Sequence, residues 1–316
     1  MEKRQLGNTS LQVYPITFGG NVFGWTIDEK RSFELLDAFT GKGFNFIDTA
    51  DVYSRWKPGN EGGESETIIG NWMKKRGNRK EVIIATKVGS DMGQAKVDLS
   101  KKYIMQAVDA SLKRLQTDYI DLYQSHWDDA ETPFEETLDA YADLIKAGKV
   151  RHIGASNLTA DRLKEALQVA QEHGLPLYET LQPHYNLYER AAFEDGLEPV
   201  CLGNNLGVLN YYSLASGFLT GKYRSKDDLS KSPRGGGVEK YLDDRGFKIL
   251  AALDEVAKQL KTTQATVAVA WLIHRPSVTA PIVSATSIEQ LESIMKAADL
   301  DITAHEIELL TQESAW

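Results

Sequence analysis

Phe44-Asn45-Phe46-Ile47-Asp48-Thr49-Ala50-Asp51-Val52-Tyr53 is an apolar run that stops abruptly at an acid and reaches a tyrosine five residues later. Two later stretches repeat the design. Val82-Ile83-Ile84-Ala85-Thr86 ends in Lys87, and Ile120-Asp121-Leu122-Tyr123-Gln124-Ser125 ends in His126. Short β-branched runs of this kind read as buried strands. Three successive strands thus each deliver a titratable group at the C-terminal end, which is the end where a β/α barrel keeps its active site.

The same rhythm extends outward over the chain. Strands are expected at about 16–19, 44–48, 82–87, 120–125, 150–155, 178–182, 206–211 and 279–283. Helical patterns fill the intervals at about 29–41, 64–75, 101–115, 134–147, 160–173 and 189–200, with Gly43, Gly77, Gly148 and Gly174 as stop signals near C-terminal ends. Alternation at this spacing requires parallel strands, and eight units close into a barrel. A hairpin-like segment around Gly7-Asn8 precedes the first unit.

The rhythm breaks between strands 7 and 8. Residues 213–245 contain Gly217, Gly221, Pro233 and Arg234-Gly235-Gly236-Gly237, and two helical patterns at about 247–260 and 263–274 follow. A long irregular excursion from the catalytic face reads as a mobile clamp over a ligand. The expected fold is therefore α/β: a (β/α)8 TIM barrel with an N-terminal β-hairpin and a long loop plus extra helices between strands 7 and 8. A single domain over residues 1–316 is expected, a length that barrels with insertions reach.

Hydrophobic residues make up 42% and charged residues 26%, an ordinary globular balance. The formal charge of −9 and the pI of about 5.3 argue against general binding to nucleic acid or anionic membrane, since both reward a basic surface. Cys201 is the single cysteine and has no internal disulfide partner, which fits a reducing compartment. Met1-Glu2-Lys3-Arg4-Gln5-Leu6-Gly7 has no apolar signal segment, and no stretch is long enough to span a bilayer. A soluble cytoplasmic protein acting on a small molecule is expected.

The four strand-end residues resemble the catalytic tetrad of the aldo-keto reductases, which runs Asp, Tyr, Lys, His in this order. Asp48 and Tyr53 lie in FIDTADVY, Lys87 in IIATK and His126 in DLYQSH, and the similarity extends from Arg4-Gln5-Leu6-Gly7 to about Thr303. The chain is similar to the bacterial-type members, related to the potassium-channel β-subunit branch. The resemblance implies NAD(P)H-dependent reduction of an aldehyde or ketone, with NADP(H) the first cofactor and NAD(H) the competitor. Carbonyl reduction needs a proton donor at the oxygen, and a tyrosine titrating near 10 in water is expected to need a cation beside it, here Lys87. Asp48 is expected to pair with Lys87, and His126 to hydrogen-bond and orient the carbonyl oxygen. Charge growing on that oxygen then meets donors from Tyr53 and His126.

The resemblance also carries over a cofactor cradle: Gly19, Gly20 and Asn21 after the first strand, Asp48 again, and Ser156, Asn157 and Gln182 around the nicotinamide carboxamide. Ser156 or Asn157 equally fits the cap of the helix near Thr159-Ala160-Asp161. Tyr211 is the ring expected to stack on the nicotinamide. The family usually has Ser-Pro after that aromatic, where this chain has Tyr212-Ser213, so the pyrophosphate contacts fall to the Leu214 backbone and the Ser216 hydroxyl. Arg234 fits a phosphate clamp or a solvated side chain equally. Ser284, Thr286 and Gln290 match the adenosine-phosphate segment at a helix N-terminus, where backbone N–H groups and the dipole favour an anion.

Relatives often carry Arg or Lys there for a 2′-phosphate; this chain has neither between 282 and 292, and has Ser293 and Ile294 where relatives have Glu and Asn. That departure keeps NAD(H) open. Trp25, Trp56 and Trp127 follow strands of the catalytic face and could wall an apolar substrate pocket, with rim packing an equal reading for Trp56. Two other classes fit parts of the pattern. One is a nucleotide-binding redox sensor similar to the channel β-subunits. The other is a metal-dependent barrel hydrolase using Asp48, His126 and His184, disfavoured because Ile16-Thr17-Phe18 supplies no ligand. No metal is expected.

Overall fold

The computed structural model describes residues 2–232 and 235–316, so Arg234 and its expected clamp role lie outside the described residues. Strands β1 (Arg4–Gln5) and β2 (Gln12–Val13) pair antiparallel across the Gly7 turn, with Arg4 opposite Val13. Eight strands follow: β3 (Thr17–Gly19), β4 (Phe46–Asp48), β5 (Ile83–Val88), β6 (Ile120–Ser125), β7 (Val150–Ser156), β8 (Thr180–Gln182), β9 (Gly207–Val208) and β10 (Ile282–Val283). All neighbours are parallel, in the order β10-β3-β4-β5-β6-β7-β8-β9. Val208 bridges Val278, and the Ile282 N–H donates to the Asn210 carbonyl at 2.9 Å, which joins the two edges. The expected barrel and hairpin are present.

Helices α1 (Glu29–Gly41), α2 (Glu64–Arg76), α3 (Lys101–Leu115), α4 (Phe134–Lys146) and α5 (Ala160–His173) form the crossovers. Each of these five is found within a residue of its expected bounds. The sixth differs: a pattern over 189–200 becomes a wide turn at Phe193–Leu197 leading into α6 (Glu198–Gly203). Asn186 delays its start: Oδ1 accepts the N–H groups of Tyr188 at 2.8 Å and Glu189 at 2.9 Å, a local turn that competes with helix. Short 3₁₀ turns fill the described part of the long β9–α7 loop, followed by α7 (Asp244–Gln259) and α8 (Gln264–Ile273). After β10 come α9 (Ile288–Met295) and α10 (Ala304–Glu313). No expected element covered α10, although its capping box, Thr303 with Glu306, is a readable signal.

The hairpin decides which end of the barrel is open. Leu6, Leu11 and Val13 pack with Phe46, Ala85, Leu122, Leu209, Ala280 and Ile282 inside the barrel, closing its N-terminal end. Because side chains alternate along a strand, residues two positions further on share the inner face. Phe46 is followed by Asp48, Ala85 by Lys87 and Leu122 by Gln124. An apolar layer below and a polar layer above therefore come from one alternation. Among the described residues, no helix is long and apolar enough to cross a membrane.

Candidate active site

The polar layer is organised by one ammonium group. Lys87 is fully buried, and its Nζ donates to Asp48 Oδ2 at 2.7 Å, to the Thr49 carbonyl at 2.8 Å and to the Tyr53 hydroxyl oxygen at 2.9 Å. Those three acceptors satisfy all three of its donors. The second oxygen of Asp48 accepts Gln182 Nε2 at 2.9 Å and Gln124 Nε2 at 3.5 Å. Tyr53 reaches the group from a tight turn after β4, held by Ser54, whose φ is 75° and whose hydroxyl donates to the Phe23 carbonyl at 2.6 Å.

The electrostatics correct one expectation. Burial first, and then the negative charge of Asp48, hold the Tyr53 phenol well above its ordinary value, so the net shift is upward even beside Lys87. Its hydroxyl also donates to Asp48 Oδ2 at 3.4 Å. The phenol consequently stays protonated through the neutral range, which is the form a proton donor needs. Burial, with the Lys87 charge adding to it, keeps the His126 imidazole well below its usual value and therefore neutral.

His126 sits just beyond β6. Its Nδ1 lies 2.9 Å from Ser90 Oγ, which also accepts the Trp127 indole N–H at 3.1 Å. The His126 ring stacks on Trp127 at 5.6 Å and 14°, and approaches Tyr53 at 6.0 Å. Tyr53 meets Trp56 edge-on at 5.9 Å, and Trp56 meets Trp25 at 5.5 Å. The three tryptophans thus join Tyr53 and His126 in one aromatic line, with Trp56 47% and Trp127 44% exposed at the mouth.

A hydrogen-bonded chain links this centre to the next strands. Asn157, at φ 56°, donates from Nδ2 to the His126 carbonyl at 2.9 Å and accepts the Tyr211 hydroxyl on Oδ1 at 2.7 Å. Ser156 donates to the Gln182 carbonyl at 2.9 Å. Neither residue caps α5; Thr159 does, accepting the Arg162 N–H. Tyr211 is covered on one ring face by His184 at 5.3 Å and 18°. Beyond it Tyr212, Ala215 and Ser216 all have left-handed φ values of 56°, 48° and 57°, followed by Gly217 at 95°. Such strain in three non-glycine residues collects at ligand clamps, and right-to-left-handed turns like Leu214-Ala215 form anion-binding nests.

The other rim lies where β3 and β10 end. Ser284 Oγ is 2.8 Å from the Gly19 carbonyl and 2.7 Å from Asn21 Oδ1. Gly19 and Gly20 are required by packing there, since an added Cβ would stand 2.6 Å from Ser284 Oγ and 2.9 Å from Ser65 Oγ respectively. Thr286 donates from its backbone and hydroxyl to Gln290 Oε1 at 3.0 and 3.1 Å. Arg31 of α1 donates from Nε to the Thr286 carbonyl at 3.3 Å. Sequence reading missed Arg31, which is 255 residues away from Thr286, and also missed Ser90 and Gln124. Only Gln124 carried a signal, its place two residues beyond Leu122 on the inner face.

Asp51, within the same β4 turn, is a further group that the sequence pattern does not single out. It is buried, neither carboxyl oxygen has a hydrogen-bond partner among the described residues, and burial, reinforced by Glu66, pushes it up to about 8. Between its unfolded value near 4 and about 8 it is protonated folded and ionised unfolded, so its contribution to stability falls as pH rises. Asp51→Asn is expected to lose less stability than the parent from pH 5 to 7.5 in urea unfolding; parallel curves would contradict the assignment. Among the described residues no group of three or more His, Cys, Asp or Glu could hold a metal ion.

A family model described as the aldo/keto reductase family matches residues 15–314. The uncharacterized oxidoreductase YrpG of Bacillus subtilis is 35% identical over 98% of this chain and 95% of its own length. Protein tas of Escherichia coli is 33% identical over 96% and 94%. A probable voltage-gated potassium channel subunit beta of Arabidopsis thaliana is 33% identical over 95% and 92%.

Proposed function

The chain belongs to the aldo/keto reductase family, a family of oxidoreductases, and on that footing we propose that it reduces aldehydes or ketones to alcohols with NADP(H), using Tyr53 as the general acid. The observation that carries this reading is Lys87 Nζ bridging Asp48 Oδ2 at 2.7 Å and the Tyr53 hydroxyl oxygen at 2.9 Å. A phenol gives up its proton readily only if the phenolate left behind is stabilised. The buried ammonium does so while Asp48 fixes its position. Neutral His126 then orients the carbonyl oxygen beside the hydroxyl, and the line of Trp25, Trp56 and Trp127 gives an apolar wall to the substrate.

The residues present fit a nicotinamide dinucleotide. Gln182 Oε1 has no partner among the described residues and, with Ser156 and Asn157, would hold the carboxamide. Tyr211 has one face against His184 and the other for the ring. The left-handed turn from Leu214 to Gly217, with Ser216, would take the pyrophosphate, and Ser284, Thr286 and Gln290 with Asn21 the adenosine end. When bound, the reduced cofactor supplies the hydride to the carbonyl carbon.

Arg31 supports NADP(H) over NAD(H), because it brings a cation to a segment that has none of its own. Arg31→Ala is expected to lower the NADPH/NADH affinity ratio about tenfold or more, the order of one charge-assisted hydrogen bond. Titration of the six tryptophans' fluorescence with each nucleotide measures it. An unchanged ratio would remove Arg31 from cofactor choice. Oxidation of reduced cofactor on adding an aldehyde separates the enzyme from the alternative, a slow redox-sensing module similar to the channel β-subunits.

A further inference from the structure

We propose that Ser90 is a positioning residue that locks His126 in the tautomer carrying its proton on Nε2, and that the Trp127 indole sets the direction of the Ser90 hydroxyl. The three side chains come from two neighbouring strand ends. Ser90 stands two residues beyond β5, His126 and Trp127 directly beyond β6, and the pairing of Val88 with Ser125 holds the ends in register. Gln94 pins the Ser90 loop by donating Nε2 to the Ser90 carbonyl at 2.8 Å.

The protons available decide between the two tautomers. An indole nitrogen is only a donor, so its 3.1 Å contact makes Ser90 Oγ an acceptor toward Trp127. A neutral imidazole has one donor and one acceptor nitrogen. If Nδ1 carried the proton, Ser90 Oγ would accept from both neighbours and its own proton would need another acceptor. Among the described residues Ser90 Oγ has no partner besides His126 Nδ1 and Trp127 Nε1, and Ser90 is only 4% exposed. That arrangement strands a buried hydroxyl proton, which is costly. In the other arrangement Ser90 donates to Nδ1, every group is paired, and the proton of the imidazole sits on Nε2.

Nε2 has no hydrogen-bond partner among the described residues, and the ring that carries it faces Tyr53 at 6.0 Å. A donor there attracts a carbonyl oxygen, whereas a lone pair there would repel it. The catalytic consequence rests on the carbonyl-reduction reading; the tautomer itself does not. Burial and the Lys87 charge, which keep the imidazole neutral, support the same state.

The test is nitrogen NMR of protein labelled in histidine, with the His126 signals identified by their loss in His126→Gln. The parent at neutral pH is expected to show a protonated Nε2 and a bare, hydrogen-bonded Nδ1. Ser90→Ala is expected to move Nδ1 toward its free value or mix the tautomers, and to lower kcat/KM by roughly tenfold, the order of one lost hydrogen bond. Ser90→Thr, which keeps the hydroxyl, is expected to restore both. A parent spectrum with the proton on Nδ1, or an Nδ1 signal unmoved in Ser90→Ala, would overturn the proposal. A correct tautomer in a protein that reduces no carbonyl compound would leave the assignment standing and sink the functional reading instead.

Discussion

Replacing Tyr53 by Phe is expected to lower aldehyde turnover by at least about 10²-fold, the usual scale of lost general acid catalysis. The ring keeps its edge contact with Trp56 and its place beside His126, so the pocket wall should survive. Lys87 loses one acceptor but retains Asp48 at 2.7 Å and the Thr49 carbonyl at 2.8 Å, so the fold should hold. The hydroxyl has no hydrogen bond to the residues assigned to the cofactor other than Asp48, and nucleotide affinity should therefore barely change. Near-normal turnover under conditions where chemistry limits the rate would take the proton donor away from Tyr53.

Lys87→Met should be as damaging to turnover and worse for stability. Met fills much of the stem but donates nothing to Asp48, the Thr49 carbonyl or Tyr53. Asp48 is 1% exposed and would keep only the two glutamine amides as partners. Removing one member of a buried ion pair typically costs about 3–5 kcal/mol, because the other charge is left uncompensated. Urea unfolding of parent and variant side by side reads that loss of stability directly. In turnover, loss of the cation should raise the phenol further and shift the alkaline limb of the pH–rate profile upward. An unchanged profile would remove Lys87 from the mechanism.

The barrel, and the places of Asp48 and Lys87 on its inner polar rim, were legible because both are written in one alternation. Phe46 and Asp48, or Ala85 and Lys87, are two residues apart, so an apolar inner face and a polar rim come from the same strand. Chain order then brings β4, β5 and β6 side by side. What escaped was non-local. Arg31 meets Thr286 only after the barrel closes β10 against β3, and Ser90 reaches His126 only through the β5–β6 register.

Backbone conformation escaped too. Nothing in Tyr212, Ala215 or Ser216 announces a left-handed residue, since glycine is the usual carrier of that conformation. The sign of the Tyr53 shift was misjudged for a related reason. Sequence order puts Lys87 near Tyr53, but only the folded site shows how far burial outweighs it and that Asp48 lies 3.4 Å from the hydroxyl. Gln182, expected only at the cofactor, also donates to Asp48 Oδ1.

Hydride transfer to a carbonyl carbon in this barrel is read out by deuterium transfer. Purified protein would be given an aldehyde and NADPH bearing deuterium at the transferable position of the nicotinamide, and the alcohol analysed by mass and NMR. One deuterium is expected on the carbinol carbon, on a single face, in step with cofactor oxidised. An alcohol without deuterium, or tight nucleotide binding with no aldehyde-dependent oxidation across a broad set of carbonyl compounds, would contradict it.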